Sequence, residues 1–332
     1  KIFKEAGARY VTFTSKHHEG FCMFDSTLTD YDSVDRAPHK DFVKELIDAA
    51  RKADMKISFY YSTLDWAHPD FKKDLSQYVD EYLFGQVREL CTNYGPIDGI
   101  WFDGEWDHPA EIWKATDLVS MIHELQPGAL VNDRIGKGER GKTTLADFYT
   151  REQPVEILKK TETEARKPWE ACLTIGESWG YRRNDTNLKS TEELIRFLID
   201  VASRGGNLLL NVGPTPEGEI PAPLVKRILG IGEWLKKNGD SIYGTYASPF
   251  ASLPYGKCTT KDDTLYLHLE SNPGTPLELP GLKNNIENVH FLETGEALDF
   301  DNETNSIQLP KELPDPVVTV VAVELDGEPR VE

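Results

Sequence analysis

A (β/α)8-like barrel followed by an antiparallel β-sandwich is the fold class that the sequence predicts, and three observations predict it. Short runs of β-branched and aromatic residues alternate with longer amphipathic stretches as far as residue 244, the mark of βα units and a parallel sheet. Each run leads into a loop rich in polar and aromatic residues, and in a barrel those loops form the face that carries the site. From residue 245 to residue 332 the helical period gives way to period-2 apolar runs separated by turn residues. The expected division is therefore a barrel domain at 1–244 and a β-sandwich domain at 245–332.

The elements follow in order. KIFKEAGARYVTFTSKHH opens inside a helical pattern without an initiator Met, a cap or a signal peptide, so an N-terminal part is expected ahead of residue 1. Strands are expected at 10–14, 56–61, 99–102, 129–132, 146–149 and 207–212. Between them, 40–53 places Phe42, Val43, Leu46, Ile47 and Ala50 at helical spacing, and 191–202 does the same with Leu194, Leu198 and Val201. Beyond residue 244, TLYLHL at 264–269 and VVTVVAV at 317–323 alternate as half-buried strands, with Asn272-Pro273-Gly274 and Asp301-Asn302 as turns. No internal repeat of fixed period is visible.

Composition narrows the function. The 332 residues are 39% hydrophobic and 28% charged, as in a globular protein, and no apolar run reaches the length of a membrane-spanning helix. A net charge of -19 argues against nucleic acid or an anionic membrane as partner, since a phosphate backbone needs a basic face. Cys22, Cys91, Cys172 and Cys258 lie far apart without a CxxC spacing, which suggests buried free thiols instead of a zinc site or a disulfide framework.

The polar residues at the strand ends form a pattern. The first strand leads into His17 and His18, the second ends at Tyr60-Tyr61-Ser62 with Asp65 and Trp66 beyond, and the third ends at Asp103. Asp133-Arg134 follow the fourth, and Thr150 and Glu152 the fifth. Carboxylates, histidines, an arginine and aromatics on one face suit an uncharged polyhydroxyl ring, whose apolar faces stack while its hydroxyls need fixed donors and acceptors. Taken singly, each residue has a plainer role. An Asp at a strand end is a common helix N-cap, Arg134 can pair with Asp133, and Trp179 reads as core packing. The surroundings favour chemistry at Asp103, because Trp101, Phe102 and Trp106 are expected to keep water from it. His17 and His18 are expected to point to opposite faces of an extended strand, which makes them a poor metal pair, so no metal is predicted. Neither GKG at 136–138 nor GGN at 205–207 has the strand and helix context of a phosphate loop.

TFTSKHHEGFCMFDS, DFVKELIDAARKADMKISFYYSTLDW, IDGIWFDGEW, VNDR, DFYTREQ, PWEACLTIGESWGYRRND and GGNLLLNVGPTPEGEIP, in this order, resemble the α-L-fucosidases of glycoside hydrolase family 29. The likeness extends through the whole region ahead of the sandwich. It implies a retaining exo-α-L-fucosidase with no metal or organic cofactor, acting through a covalent fucosyl-enzyme intermediate. It places the nucleophile on Asp103 and the acid/base on Glu152, with Asp147 in reserve. His17, His18, Tyr60, Trp101 and Arg134 match residues that hold the fucose ring and hydroxyls, and Trp179 matches the aromatic beside the sugar methyl. It also implies that the first barrel strand lies ahead of residue 1. The partners it implies are fucosylated glycans or oligosaccharides, with no nucleic acid and no membrane, and a homo-oligomer is compatible with the sequence. Secretion, the periplasm or, in a eukaryote, the lysosome is the expected location. A transfucosylase, a lectin-like fucose binder and a metal-dependent barrel hydrolase are the alternatives.

Overall fold

In the computed structural model, which describes residues 1–153, 167–274 and 276–332, the first stretch runs α1 (Ile2–Glu5), β1 (Tyr10–Lys16), α2 (Phe42–Lys52), β2 (Lys56–Ser62), α3 (Pro69–Lys73), α4 (Leu75–Gln77), a π-helical turn at Tyr78–Leu83 and α5 (Phe84–Thr92). It continues with β3 (Gly99–Asp103), α6 (Ala115–Leu125), β4 (Leu130–Val131), β5 (Tyr149–Glu152), β6 (Trp169–Thr174), α7 (Thr191–Ala202), β7 (Gly206–Asn211) and α8 (Ala222–Asn238). The remaining strands are β8 (Tyr246–Ala247), β9 (Gly256–Lys261), β10 (Thr264–Leu269), β11 (Leu277–Glu278), β12 (Ile286–Phe291), β13 (Phe300–Asp301), β14 (Ser306–Ile307) and β15 (Thr319–Leu325). Two compact units result, one built on Ala8–Arg151 and the other on Ile2–Gly7 with Glu170–Glu332.

The first unit holds a parallel sheet in the order β1-β2-β3-β4. Side chains alternate across it. Ile57, Phe59, Tyr61, Ile100 and Phe102 point into one core with Val43 and Ile47 of α2, Val87 and Leu90 of α5, and Leu118 and Ile122 of α6. Tyr60, Trp101 and Asp103 occupy the alternate positions, away from that core, so the amphipathic helices on one side leave the other side of the sheet for polar and aromatic groups. Helix α2 is started by Asp41, whose carboxylate accepts from Lys44 N–H, an N-cap of the usual kind. β4 is only two residues long because the Asn132 amide takes over its pairing. Asn132 Oδ1 accepts from Phe102 N–H at 2.8 Å and Nδ2 donates to Phe102 O at 2.9 Å, which frees Asp133 and Arg134 to turn out of the sheet.

The second unit is mixed. β6 and β7 are neighbours in one sheet, an antiparallel sheet runs β12-β15-β10-β9-β8, and a small one runs β11-β14-β13. Leu265, Leu267 and Leu269 of β10 share a core with Val321, Val323, Leu277 and Ile307, so the two antiparallel sheets face each other across it. The opposite side of β10 and β15, with Tyr266 and Val320, packs on Trp234 and Leu235 of α8 and Leu194 of α7. The antiparallel sheet starts at Tyr246, where the helical period in the sequence stops.

Two expectations need correcting. β5 begins at Tyr149, three residues later than the strand expected at 146–149, because Asp147 turns its carboxylate back onto the Val131 N–H at 2.8 Å and only Phe148 bridges to Asn132 ahead of it. β6 is a strand that the periodicity did not reveal. WEACLT is buried at every position, so it carries no alternation to detect.

Candidate active site

Four consecutive strands of the parallel sheet each contribute one flat group to a stacked series. His17, just past β1, stacks on Tyr60 of β2 at 5.5 Å, and Tyr60 stacks on Trp101 of β3 at 5.5 Å. The Arg134 guanidinium, past β4, lies over the Trp101 ring at 4.4 Å. Tyr60 and Trp101 are register partners in the sheet, so strand pairing itself sets the series.

Asp103 stands at its edge. Its Oδ1 accepts from Arg134 Nη1 at 2.7 Å and its Oδ2 from Tyr60 Oη at 2.8 Å, with Arg140 Nη2 at 3.6 Å and His18 Nε2 at 3.9 Å. Burial would raise the pKa of this carboxyl, but the Arg134 charge, the hydrogen bonds from Arg134 and Tyr60, and His18 outweigh it and hold the carboxyl below the ordinary aspartate value. The backbone is held as well. Asp103 O accepts from Thr63 N–H at 2.8 Å and from Thr63 Oγ1 at 3.1 Å, and the chain then turns at Gly104 with φ of 88°. A Cβ at Gly104 would meet Leu64 Cγ at 2.8 Å, so both the left-handed backbone and the close approach require glycine.

Arg134 is positioned by a buried relay. Its Nε donates to Thr150 Oγ1 at 3.1 Å, and that hydroxyl donates in turn to Asp133 Oδ1 at 2.7 Å. Asp133, fully buried, also accepts from the Thr150 and Gly141 N–H groups. The Asp133 charge is thus absorbed by the loops, which leaves Arg134 directed at Asp103.

The hydrogen bonds of His18 assign its tautomer. Ser62 Oγ gives its proton to Leu64 O at 3.0 Å, so at 2.6 Å from His18 Nδ1 it acts as acceptor and Nδ1 carries the hydrogen. Burial first, then the charge of His17, lowers the His18 pKa, with Asp103 opposing, so near neutral pH Nε2 presents a lone pair beside Asp103. This pair of acceptors suits a hydroxyl donor. Trp66 and Trp106 flank the ring at 5.6 and 5.2 Å.

Lys16 lies fully buried beneath. Its Nζ is 3.2 Å from both Asp65 Oδ2 and Tyr78 Oη and sits 4.4 Å from the centre of the Tyr61 ring. Desolvation lowers its pKa, against the pull of Asp65. Two paths lead from it to the site. Asp65 Oδ1 caps the turn at Ala67 and His68, where Trp66 N–H donates to His18 O, while Tyr78 Oη donates to Thr63 O, and Thr63 holds the Asp103 carbonyl. The ammonium therefore ties the His18 turn and the Asp103 backbone to one point.

Of the residues expected from sequence, His17, His18, Tyr60, Trp101, Asp103 and Arg134 come together in the first unit. Glu152 ends β5 and is exposed, and Trp179 lies in the loop after β6, where its carbonyl accepts from Asn211 Nδ2 at 2.7 Å. Both belong to the second unit. Trp179 is more than a third exposed, which corrects its reading as core packing. Asp147 is engaged structurally, with His123 Nε2 at 3.0 Å and Val131 N–H on the same oxygen. His17 and His18 do not point to opposite faces. β1 ends at Lys16, so strand alternation no longer applies, and the two rings lie 4.0 Å apart. Phe102 faces the core and does not shield Asp103, and Trp106 is 41% exposed. Lys16, Ser62, Glu105 and Arg140 are missing from the expected set. The KHH motif marked Lys16, but nothing in residue type marked Arg140.

An ionised carboxylate at the end of a parallel strand, set against stacked aromatics and fixed hydrogen-bonding groups, is the arrangement of a glycoside-hydrolase type of site. The chain belongs to the α-L-fucosidase family, whose model, described as Alpha-L-fucosidase, matches residues 1–240. Plasma alpha-L-fucosidase of Homo sapiens is 37% identical over 262 residues, which are 74% of this chain and 54% of that protein. The chain spans about half the length of the curated relatives it matches. Alpha-L-fucosidase isoenzyme 1 from Paenibacillus thiaminolyticus superposes with a TM-score of 0.90 at 36% identity, over 98% of this chain and 85% of that one. A GH29 alpha-L-fucosidase from Bacteroides thetaiotaomicron, trapped as a covalent intermediate with 2-fluoro-fucosyl fluoride, gives 0.87 at 27% identity, over 98% of this chain and 80% of that one.

Proposed function

We propose that this chain carries the chemistry of a retaining exo-α-L-fucosidase that releases terminal α-L-fucose from fucosylated glycans or oligosaccharides. One observation carries the reading. Asp103 is buried yet held ionised by Arg134 and Tyr60 at the end of β3, as an attacking carboxylate must be. Family membership and a related enzyme trapped as a covalent intermediate support it.

In this scheme Asp103 attacks the anomeric carbon while Glu152, protonated, gives its proton to the leaving oxygen. Water then attacks the fucosyl-Asp103 ester with Glu152 acting as base, and the configuration is retained. His18 Nε2 accepts from a fucose hydroxyl, His17, Tyr60 and Trp101 line the ring, and Trp179 lies beside the methyl group. The structural engagement of Asp147 favours Glu152 as acid/base. We further propose that the parallel sheet belongs to a (β/α)8-like barrel within residues 1–244, with 245–332 as an accessory β-sandwich. Secretion, the periplasm or the lysosome suits glycan breakdown. The test is product analysis by NMR with an aryl α-L-fucoside. First-formed α-L-fucose is expected, and Glu152→Ala should form α-fucosyl azide when azide is supplied. First-formed β-L-fucose, or no hydrolysis of any fucoside, refutes the reading.

A further inference from the structure

Next to Asp103 lies a second recess of about 420 Å³, lined by Glu105, Trp106, Lys137, Gly138, Arg140 and Lys142. Its size falls in the range of small-molecule sites, about 300 to 1,000 Å³. It joins the carboxylate site through Arg140, whose Nε donates to Glu105 Oε1 at 2.6 Å while Nη2 is 3.6 Å from Asp103 Oδ1. It also joins through Trp106, whose ring meets that of His18 edge-on.

Three features indicate its occupant. Glu105 lines the recess and is 3% exposed, and its buried Oε2 has no hydrogen-bond partner among the described residues, so an acceptor at the wall of the recess requires a donor. Trp106 offers an exposed ring for stacking. The charge runs against that of the molecule. In a chain of net charge -19, Glu105 is matched by Arg140, and Lys137 and Lys142 add two cations that make no ion pair among the described residues. The loop bearing them is built and held. Lys137 N–H donates to His108 O, Lys142 N–H to Glu139 O, and Gly141 N–H to buried Asp133, all within 2.9 Å.

We propose that this recess binds an anionic saccharide residue, bearing a sulfate ester or a carboxylate, on the leaving-group side of the scissile bond. A ring hydroxyl donates to Glu105 Oε2, the ring lies on Trp106, and the acidic group meets Lys137 and Lys142. The proposal rests on the fucosidase reading for its direction but can be tested without turnover.

Calorimetric titrations of the whole chain with glucose 6-sulfate, glucuronate and glucose read the recess directly. At low ionic strength the wild type should bind one or both anions at least about fivefold more tightly than glucose, and the pattern across the two identifies sulfate or carboxylate as the preferred group. The preference should disappear in Lys137→Ala/Lys142→Ala and shrink as salt is raised, since exposed charges are screened. Equal binding of all three sugars, no binding of either anion, or an anion preference that survives the double substitution overturns the proposal. A parallel kinetic arm compares kcat/KM on a fucosylated disaccharide with and without a sulfate on the acceptor sugar. The ratio within one enzyme sample does not depend on how much of it is folded, and it should fall to about one in the double variant. If no fucoside is hydrolysed at all, the fucosidase reading fails while the titrations still decide the recess.

Discussion

His18 in the first unit and His268 in the second are wired alike. Each ring has one nitrogen against a hydroxyl that already gives its proton to a backbone carbonyl, Ser62 Oγ to Leu64 O and Thr259 Oγ1 to Ser241 O. Each therefore leaves its other nitrogen with a lone pair. For His18 that atom lies beside Asp103, under two exposed tryptophans. For His268 it is sealed at zero exposure with no partner among the described residues, near Trp234, and burial pushes the pKa down to about 3. The same local bonding thus leaves one free nitrogen within reach of a ligand and seals the other in packing. What separates them is whether a ligand can reach the free nitrogen and whether a second polar group shares the space.

The comparison depends on the partner that His18 has and His268 lacks, so removing that partner has the largest expected effect. Asp103→Gly should lower turnover on an aryl fucoside by roughly 1,000-fold or more, with azide restoring it as the inverted β-fucosyl azide. An Asp103→Gly protein of near-normal activity would be fatal to the mechanism. Next, His18→Ala or Arg134→Ala should lower kcat/KM by about 100-fold with the fold intact, whereas His268→Leu should leave it within about twofold. Arg134→Ala should also shift the acid limb of the pH profile to higher pH, because burial then acts on Asp103 without its main counter-charge. Equal loss in the His18 and His268 variants would erase the distinction between the two rings.

A smaller effect separates tautomer from contact. Ser62→Ala releases the His18 Nδ1 hydrogen and should cost about tenfold in kcat with little change in melting temperature, and an unchanged kcat would reject the tautomer assignment. The effect expected at His268 is on stability alone. The unfolded chain protonates this histidine near pH 6.5 and the folded chain only near 3, so stability is unaffected above pH 6.5 and declines as pH falls between those values. His268→Leu should therefore lose less melting temperature between pH 7 and pH 5 than the wild type does, as scanning calorimetry would reveal. The smallest expected effect is none at all. EDTA should leave activity unchanged, and a loss reversed by zinc would return the histidine pair to consideration as ligands.

Much of this was legible in the sequence for a physical reason. Alternation along IDGIWFD and KISFYYS marks which residues face the helices, and the residues at the alternate positions are those that stack and hold Asp103. Glu152 and Trp179 enter through motif likeness alone, and both lie in the other unit from Asp103. What the sequence does not mark is of two kinds. β6 has no period because both its faces are buried. Arg140, Ser62 and Glu105 reach the site through loop geometry, through the turn at Gly104 and the bonds of Asp133 to Thr150 and Gly141, which residue type does not encode. The two histidines differ from expectation because alternation stops at Lys16, and His17 and His18 are the two residues beyond it.

Lys16 gives this chain a built-in chemical clock. Amine-reactive acylating reagents modify lysines in proportion to their contact with solvent, and most of the lysines here sit on the surface, while Lys16 is enclosed by Asp65, Tyr78 and the Tyr61 ring. Its acylation requires the end of β1 to open, so the rate at which that single amine is labelled reports how often the His18 turn and the Asp103 backbone separate. A mass spectrum taken over time would then record the opening of the site in the resting protein, without substrate and without any engineered label.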